Sequence, residues 1–253
     1  MPALSQIVSY MDQYLRHEGF PDYSGAWNGL QLENSGVVAK IGAAVDACEP
    51  VIAEAVERGL SLLIVHHGLM WEQHSFAFTG VRFRKLKLAF QGDLAVYSSH
   101  LPLDAHPVVG NAAQLAKALG LKKVEAFFPH KGEPIGVRGE LSMTFDDLVE
   151  NVQQSVEGER VTVCSAGPDR VRKIGIVTGG AGSEVAEVAR SGVDTFITGE
   201  GPHWSYTAAE ELGLNVIYAG HYATETFGVR ALADHVARKF KVPWEFISHP
   251  TGL

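Results

Sequence analysis

Leu62-Leu63-Ile64-Val65 runs directly into His66-His67, and the reading of this hexapeptide decides the fold. Four consecutive large apolar residues with no polar face predict a short strand buried on both sides. Such strands belong to parallel sheets flanked by helices. Two imidazoles then stand where the strand runs out. The arrangement recurs three times. Leu94 to Ser99 runs into His100, with Asp104 four residues later. Thr195 to Thr198 runs into Gly199-Glu200. Val216 to Ala219 runs into Gly220-His221, with Glu225 four residues later. In parallel α/β sheets the carboxyl ends of the strands open toward one edge, where ligands bind. Residues scattered from 66 to 225 can therefore converge.

Outward from these segments, strands alternate with helices. Leu4, Ile7, Val8, Met11, Tyr14 and Leu15 recur at three and four, predicting a helix that Gly19 stops. Asn28-Gly29 reads as a turn. A strand at Ile41 to Val45, a helix opened by Pro50 and a helix over about 81–90 follow. Strands are expected near 124–128, 135–141, 161–164 and 174–177. Thr144 should cap a helix, with Asp147 three residues on. Later helices are expected from Ser183, His203 and Thr224, with a last strand at Trp244 to Ile247. The expected fold class is α/β, with two α/β domains, mainly parallel central sheets and a metal site in the cleft at the strand C-terminal ends. The expected domains are 1–125, completed by 216–253, and 126–215.

The chain has 253 residues, of which 46% are hydrophobic and 20% charged, enough for one large or two modest cores. Its net charge of −8 opposes non-specific nucleic-acid binding, so no nucleic-acid partner is expected. The basic stretch Arg82, Arg84, Lys85 and Lys87 is interleaved with Phe83, Leu86 and Leu88 and reads as a solvated helix face. No apolar run reaches the ~20 residues that span a bilayer. The start of the chain has neither a basic segment nor an apolar signal core. A soluble, cytoplasmic protein without a membrane partner is expected. Cys48 and Cys164 form no metal-binding spacing and read as inert thiols in a reducing compartment.

Each polar segment has a plainer reading. A His-His pair at a strand end can be a hydrogen-bonded structural pair. Asp104 can close a turn, His221 can begin a helix, and Glu225 can favour the helix dipole. Jointly, three segments supply imidazoles, two of them with a carboxylate four residues on, at the edge expected for a site, a coincidence core packing does not require. Imidazole with carboxylate suits Zn, Fe, Mn or Ni. Five ligands, His66, His67, Asp104, His221 and Glu225, exceed the need of one four-coordinate zinc and suit two divalent ions. Adjacent strand side chains diverge, which favours one histidine of the pair per ion. Two ions at ~3.5–4 Å would lower the pKa of a shared water and make a hydroxide nucleophile. Glu200 is a candidate proton shuttle, with helix capping or a turn hydrogen bond as its plainer role. The turn Thr178-Gly179-Gly180-Ala181-Gly182-Ser183 lacks the full dinucleotide and P-loop fingerprints and reads as a tight strand-to-helix connection. His74, His106, His130, His203, His235 and His249 read as ordinary.

Val65-His66-His67-Gly68-Leu69-Met70-Trp71, His100-Leu101-Pro102-Leu103-Asp104-Ala105 with Gly110-Asn111, Thr198-Gly199-Glu200 and Gly220-His221-Tyr222-Ala223-Thr224-Glu225 resemble the Nif-three-like family in its short bacterial form. Its bacterial members carry the labels GTP cyclohydrolase I type 2 homolog and dinuclear metal-centre hexameric protein. The resemblance runs nearly end to end. It implies a two-domain α/β fold, two divalent metal ions per chain on His66, His67, Asp104, His221 and Glu225, with Glu225 bridging, and a toroidal homohexamer. His100 matches a family histidine beside the site, as a ligand or as a neighbour with a catalytic part. Thr226-Phe227-Gly228 departs from the Arg-Gly-Gly of close relatives, and Gly-Gly-Ala-Gly departs from three consecutive glycines.

The functional expectation is a metal-dependent hydrolase acting on a nucleotide or related small metabolite through a metal-bound hydroxide; in the cyclohydrolase version, C8 of a purine is attacked. The alternative is a non-catalytic metal-binding hexamer that regulates, chaperones metal or engages a protein partner. Loop and helix-start aromatics such as Phe76, Phe78, Trp204 and Tyr206 are compatible with buried subunit interfaces.

Overall fold

The computed structural model describes residues 1–70, 77–157 and 160–253. Trp71, His74 and Phe76 lie outside the described residues. The chain divides into two compact units, Met1–Leu103 with Gly228–His249, and Asp104–Phe227 with Pro250–Leu253.

In the first unit the opening hexapeptide is β3 (Leu62–His67). It lies at the centre of a sheet ordered β1-β4-β3-β2-β11, with β1 at Gly29–Leu32, β4 at Ala95–Ser98, β2 at Ile41–Asp46 and β11 at Trp244–Phe246. β11, β2, β3 and β4 run parallel, and only the edge strand β1 is antiparallel. Leu63 and Val65 pack on one face with Val51, Ile52 and Ala55 of α2 (Glu49–Glu57) and Ala89 of α3 (Gly80–Gln91). Leu62 and Ile64 point the other way and are equally inaccessible. Both faces are therefore dry, which is why the strand has no polar alternation. β1 begins where Asn28-Gly29 reads as a turn in sequence. Its four residues include only one buried position, and Gly29 enters it at φ +105°, so no alternation marks it.

The second unit contains a six-stranded sheet ordered β5-β6-β8-β9-β10-β7. The strands span Lys122–His130, Glu133–Thr144, Arg170–Ile176, Thr195–Thr198, Asn215–Tyr218 and Thr162–Cys164 in that order. Its centre, β8-β9-β10, is parallel, but β5, β6 and β7 join antiparallel, so this sheet is mixed where the sequence predicts a mainly parallel one. The long hairpin from Lys122 to Thr144 produces the difference. Its tight Lys131-Gly132 turn returns the chain beside itself instead of through a crossover helix. One face packs α5 (Asn111–Leu119) and α6 (Phe145–Ser155) on Ile174, Ile176, Ile197 and Ile217. The other packs α7 (Val185–Arg190) and α8 (His203–Leu212) on Phe196 and Val216. Thr144 Oγ1 accepts from the Asp147 N–H at 3.1 Å, the cap expected for α6. The thiol of Cys164 lies in this core, and Cys48 is half-buried; both are free.

The division of the chain falls elsewhere than at residues 125 and 216. α5 shares its core with α6 and β8, and β10 is paired between β9 and β7, so both belong with the second sheet. The second division falls within α9 (His221–Phe240). Among the described residues no helix is long and apolar enough to cross a membrane.

Phe196 is fully buried at the centre of the second sheet. Phe196→Ala should lower unfolding free energy by about 3–5 kcal/mol, from lost burial and the residual cavity. A chemical-denaturation midpoint checks this.

Candidate metal centre

In the first unit, β3 and β4 end side by side in parallel register, Val65 opposite Ser98. That register brings His66, His67 and His100 together. One ligand atom from each lies within 4.8 Å of the others. Ring centroids are 4.8 Å apart for His66 and His67, 5.0 Å for His66 and His100, and 5.7 Å for His67 and His100. Pleating alone would splay the first pair. The rings nevertheless lie close, at the end of β3, where His67 is still paired opposite Asp46.

All three rings are anchored through the same nitrogen. His66 Nδ1 donates to the carbonyl oxygen of Ser99 at 3.0 Å; a carbonyl only accepts, so this contact sets the neutral ring with its proton on Nδ1. His67 Nδ1 lies 2.8 Å from Asp46 Oδ1, and His100 Nδ1 lies 2.8 Å from Asp22 Oδ1. In each neutral ring this directs the Nε2 lone pair to a ligand, the arrangement by which outer partners orient metal-binding histidines. Asp22 is itself held. Its Oδ2 accepts from Asn28 Nδ2 at 2.8 Å and from the Leu101 N–H at 3.1 Å. Burial pushes the Asp22 carboxyl pKa up, but the His100 hydrogen bond and charge, with help from Asn28 and the Tyr23 N–H, outweigh it and hold the pKa below its usual value. Asn28 Oδ1 also accepts from the His100 N–H at 2.7 Å.

The second unit presents a carboxylate-rich set. β10 ends at Tyr218, Gly220 turns at φ +91°, and His221 opens α9. One helical turn on, Glu225 is 4% exposed, and its Oε1 lies 3.1 Å from His221 Nε2. Glu200 Oε1 takes the other ring nitrogen, Nδ1, at 2.8 Å. The Glu225 hydrogen bond, opposed by burial and reinforced by the charges of Glu225 and Glu200, pushes the His221 pKa up to about 9. Asp104 Oδ1 accepts from Asn111 Nδ2 at 2.8 Å and from Thr178 Oγ1 at 3.4 Å. It belongs to no group of three close ligand atoms among the described residues.

The glycine-rich turn is a strand-to-helix connection, with a 3-10 turn at Ala181–Glu184 before α7. It is also the wall of this set. A Cβ on Gly179 would collide with Glu225 Oε1 and lie 3.4 Å from His221 Nε2. The Gly179 N–H donates to Thr224 Oγ1 at 3.1 Å, and its carbonyl accepts from the N–H groups of Gly199 and Glu200 at 2.9 and 3.0 Å. The backbone thus approaches the carboxylate as closely as a missing side chain permits.

The donors fit divalent first-row metals: imidazoles of fixed orientation in one unit, an imidazole with a buried carboxylate in the other. Sequence reading misses the residues that hold them. Asp46 is findable, because it closes the apolar run Ile41 to Val45 as His66 closes its own. Asp22 and Asn28 lie in a loop without periodicity, and Ser99 acts through its carbonyl, which no side-chain pattern reports. His106 Nδ1 accepts from the Val108 and Val109 N–H groups.

In each unit of this α/β chain, imidazoles or carboxylates stand at strand ends in groups that could hold a metal ion. The chain belongs to the Duf34/NIF3 (NGG1p interacting factor 3) family, which matches residues 2–251. It is 40% identical over 250 residues to the GTP cyclohydrolase 1 type 2 homolog of Deinococcus radiodurans, covering 98% of this chain and 94% of that one. With the Pyrococcus abyssi protein of the same name it shares 39% identity, covering 98% of each. A crystal structure of a Thermus thermophilus protein superimposes with a TM-score of 0.91 at 40% identity, covering all of both chains. The reduced HcgD structure from Methanocaldococcus jannaschii superimposes at 0.85 with 25% identity, covering 98% of each.

Gly179 has φ +67°, so Gly179→Ala combines about 1–3 kcal/mol of backbone strain with displacement of the Glu225 carboxylate. Calorimetric metal titration should show weakened binding by a protein that still folds. The raised His221 pKa stabilises the metal-free fold fully below 6.5, and that contribution is lost as pH rises through about 9. Denaturation midpoints of metal-free protein should therefore fall more steeply over this window in the native chain than in His221→Gln.

Proposed function

We propose that this protein binds two divalent metal ions per chain through His66, His67, Asp104, His221 and Glu225, and acts as a hydrolase on a nucleotide or related small metabolite. The observation that carries this reading is the shared anchoring of imidazoles. His67, His100 and His221 each contact a carboxylate through Nδ1, and His66 contacts a carbonyl there, so Nε2 is the nitrogen presented to a ligand. Buried Glu225 supplies the negative charge that two dications require. Bound ions would acidify a water ligand toward neutrality and stabilise charge developing on a substrate oxygen.

This chain's residues have separate tasks. Asp46 and Asp22 fix the His67 and His100 rings. Asn111 and Thr178 orient Asp104. Glu200 holds His221 Nδ1, and at 47% side-chain exposure it also borders solvent, where a carboxylate can pass a proton. His100 joins the His66 and His67 group as a further ligand or as a donor to bound substrate. Burial, with the charge of Asp46, pushes the Cys48 thiol pKa up, and burial does the same at Cys164, so a thiolate nucleophile is not invoked. The family resemblance supports a homohexamer, as do Trp204 and Phe78, exposed at 52% and 60%. Two free thiols suit a cytoplasmic location.

Reconstituted protein should approach two metal equivalents by elemental analysis; saturation at one overturns the dinuclear reading. Glu225→Gln should lose metal and turnover together in a screen of nucleotides and phosphoesters. Asp46→Asn should weaken metal binding by roughly 10–100-fold, as orienting partners of metal ligands do. Full metal occupancy with no turnover on any substrate would favour the non-catalytic reading.

A further inference from the structure

The Glu200 turn has a second face. Within the second unit, Gly199-Glu200-Gly201-Pro202 and the start of α8 border a cavity of about 500 Å³. Small-molecule pockets typically span roughly 300–1,000 Å³. Arg160 and His203 line it together with Tyr206 and Tyr218. His203 has no motif to mark it in sequence; its position at the first turn of α8 gives it this place.

The polarity of the lining can be worked out. Ser205 Oγ donates to the Pro202 carbonyl at 2.7 Å, and a hydroxyl has one proton. In its 2.8 Å contact with Tyr218 the phenol must therefore be the donor. Tyr218 keeps only acceptor capacity, while Arg160 brings a fork of donors suited to phosphate. Burial also pushes the Tyr218 pKa up, so its hydroxyl stays neutral. Gly201 makes the wall tight: a Cβ there would meet Ser205 Oγ at 2.7 Å, Gly182 Cα at 2.8 Å and Tyr218 Cε1 at 2.9 Å. A chain of net charge −8 repels anions at long range, so an anionic ligand needs a local cation such as Arg160. Two tyrosines in the same lining bring aromatic residues to the cavity.

We infer that this cavity is a binding subsite for a phosphorylated small molecule carrying a planar ring, with the phosphate on Arg160 and His203 and the ring against Tyr206. The inference deepens the hydrolase reading, since Glu200 contributes to both the cavity wall and the His221 contact. Binding itself requires no metal.

The test is calorimetric titration of the full chain, metal-free, with adenosine and guanosine monophosphates, the corresponding nucleosides, and inorganic phosphate. The expected result is nucleotide binding that is at least about tenfold tighter than nucleoside binding. Arg160→Glu should lower nucleotide affinity by at least about tenfold, and Tyr206→Ala should weaken nucleotide but not inorganic phosphate. Both residues are on the cavity surface, and circular dichroism confirms that each variant folds. Absence of nucleotide binding by the native chain, or unchanged affinity in Arg160→Glu and His203→Ala, overturns the subsite. Metal stoichiometry is read separately on the same preparations. Nucleotide binding with one metal equivalent sinks the dinuclear reading and leaves the subsite standing; two equivalents with no nucleotide binding does the reverse.

Discussion

An imidazole has two nitrogens, and the chemistry available to one depends on what holds the other. Four histidines of this protein are held at Nδ1, by Ser99, Asp46, Asp22 and Glu200. That constraint fixes each ring plane and turns Nε2 away from the holding group; at His66 it also places the neutral ring's proton on Nδ1. It also ties the site to the fold. Asp46 closes β2, Ser99 follows β4, and Glu200 follows β9, so the register of neighbouring strands positions the groups that hold the rings. The loop that carries Asp22 and Asn28 is drawn into the same requirement, because His100 is held through both its ring and its backbone N–H.

The second unit solves a different problem. A nearly inaccessible Glu225 is costly as an isolated charge, and the fold compensates with a nearby imidazolium. Gly179 and Gly199 make that approach possible: their absent side chains leave room for Glu225 Oε1 and for the His221 backbone. The conflict between tight packing and a buried charge is eased by a cation at Nε2, whether proton or metal. In the metal-free chain the proton takes that role, which is why the His221 pKa is high. The same turn contributes Glu200 and Gly201 to a cavity wall, so one short backbone segment serves both the ring at α9 and the pocket at α8.

Sequence by itself determined a great deal here. Continuous apolar runs marked the parallel strands, because burial on both faces abolishes alternation. Imidazoles and carboxylates at their ends marked the candidate ligands, because parallel strands deliver their carboxyl ends to one edge. The Thr144 cap placed the start of α6, since capping chemistry is local; Gly19 did not place the end of the first helix, which stops at Tyr14 with Arg16 in the left-handed region. Only tertiary structure decided the rest. β5, β6 and β7 pair antiparallel, and β10 belongs to the second sheet, because pairing partners are chosen by contacts distant in sequence. Glu200 became the partner of His221 because β9 and β10 lie in register, Thr198 opposite Tyr218. Asp22 and Asn28 acquired a role from a loop closing over His100, and Ser99 acquired one through a backbone carbonyl that every residue possesses. A side-chain pattern records what a residue can do; which group it meets depends on long-range packing that no local window contains.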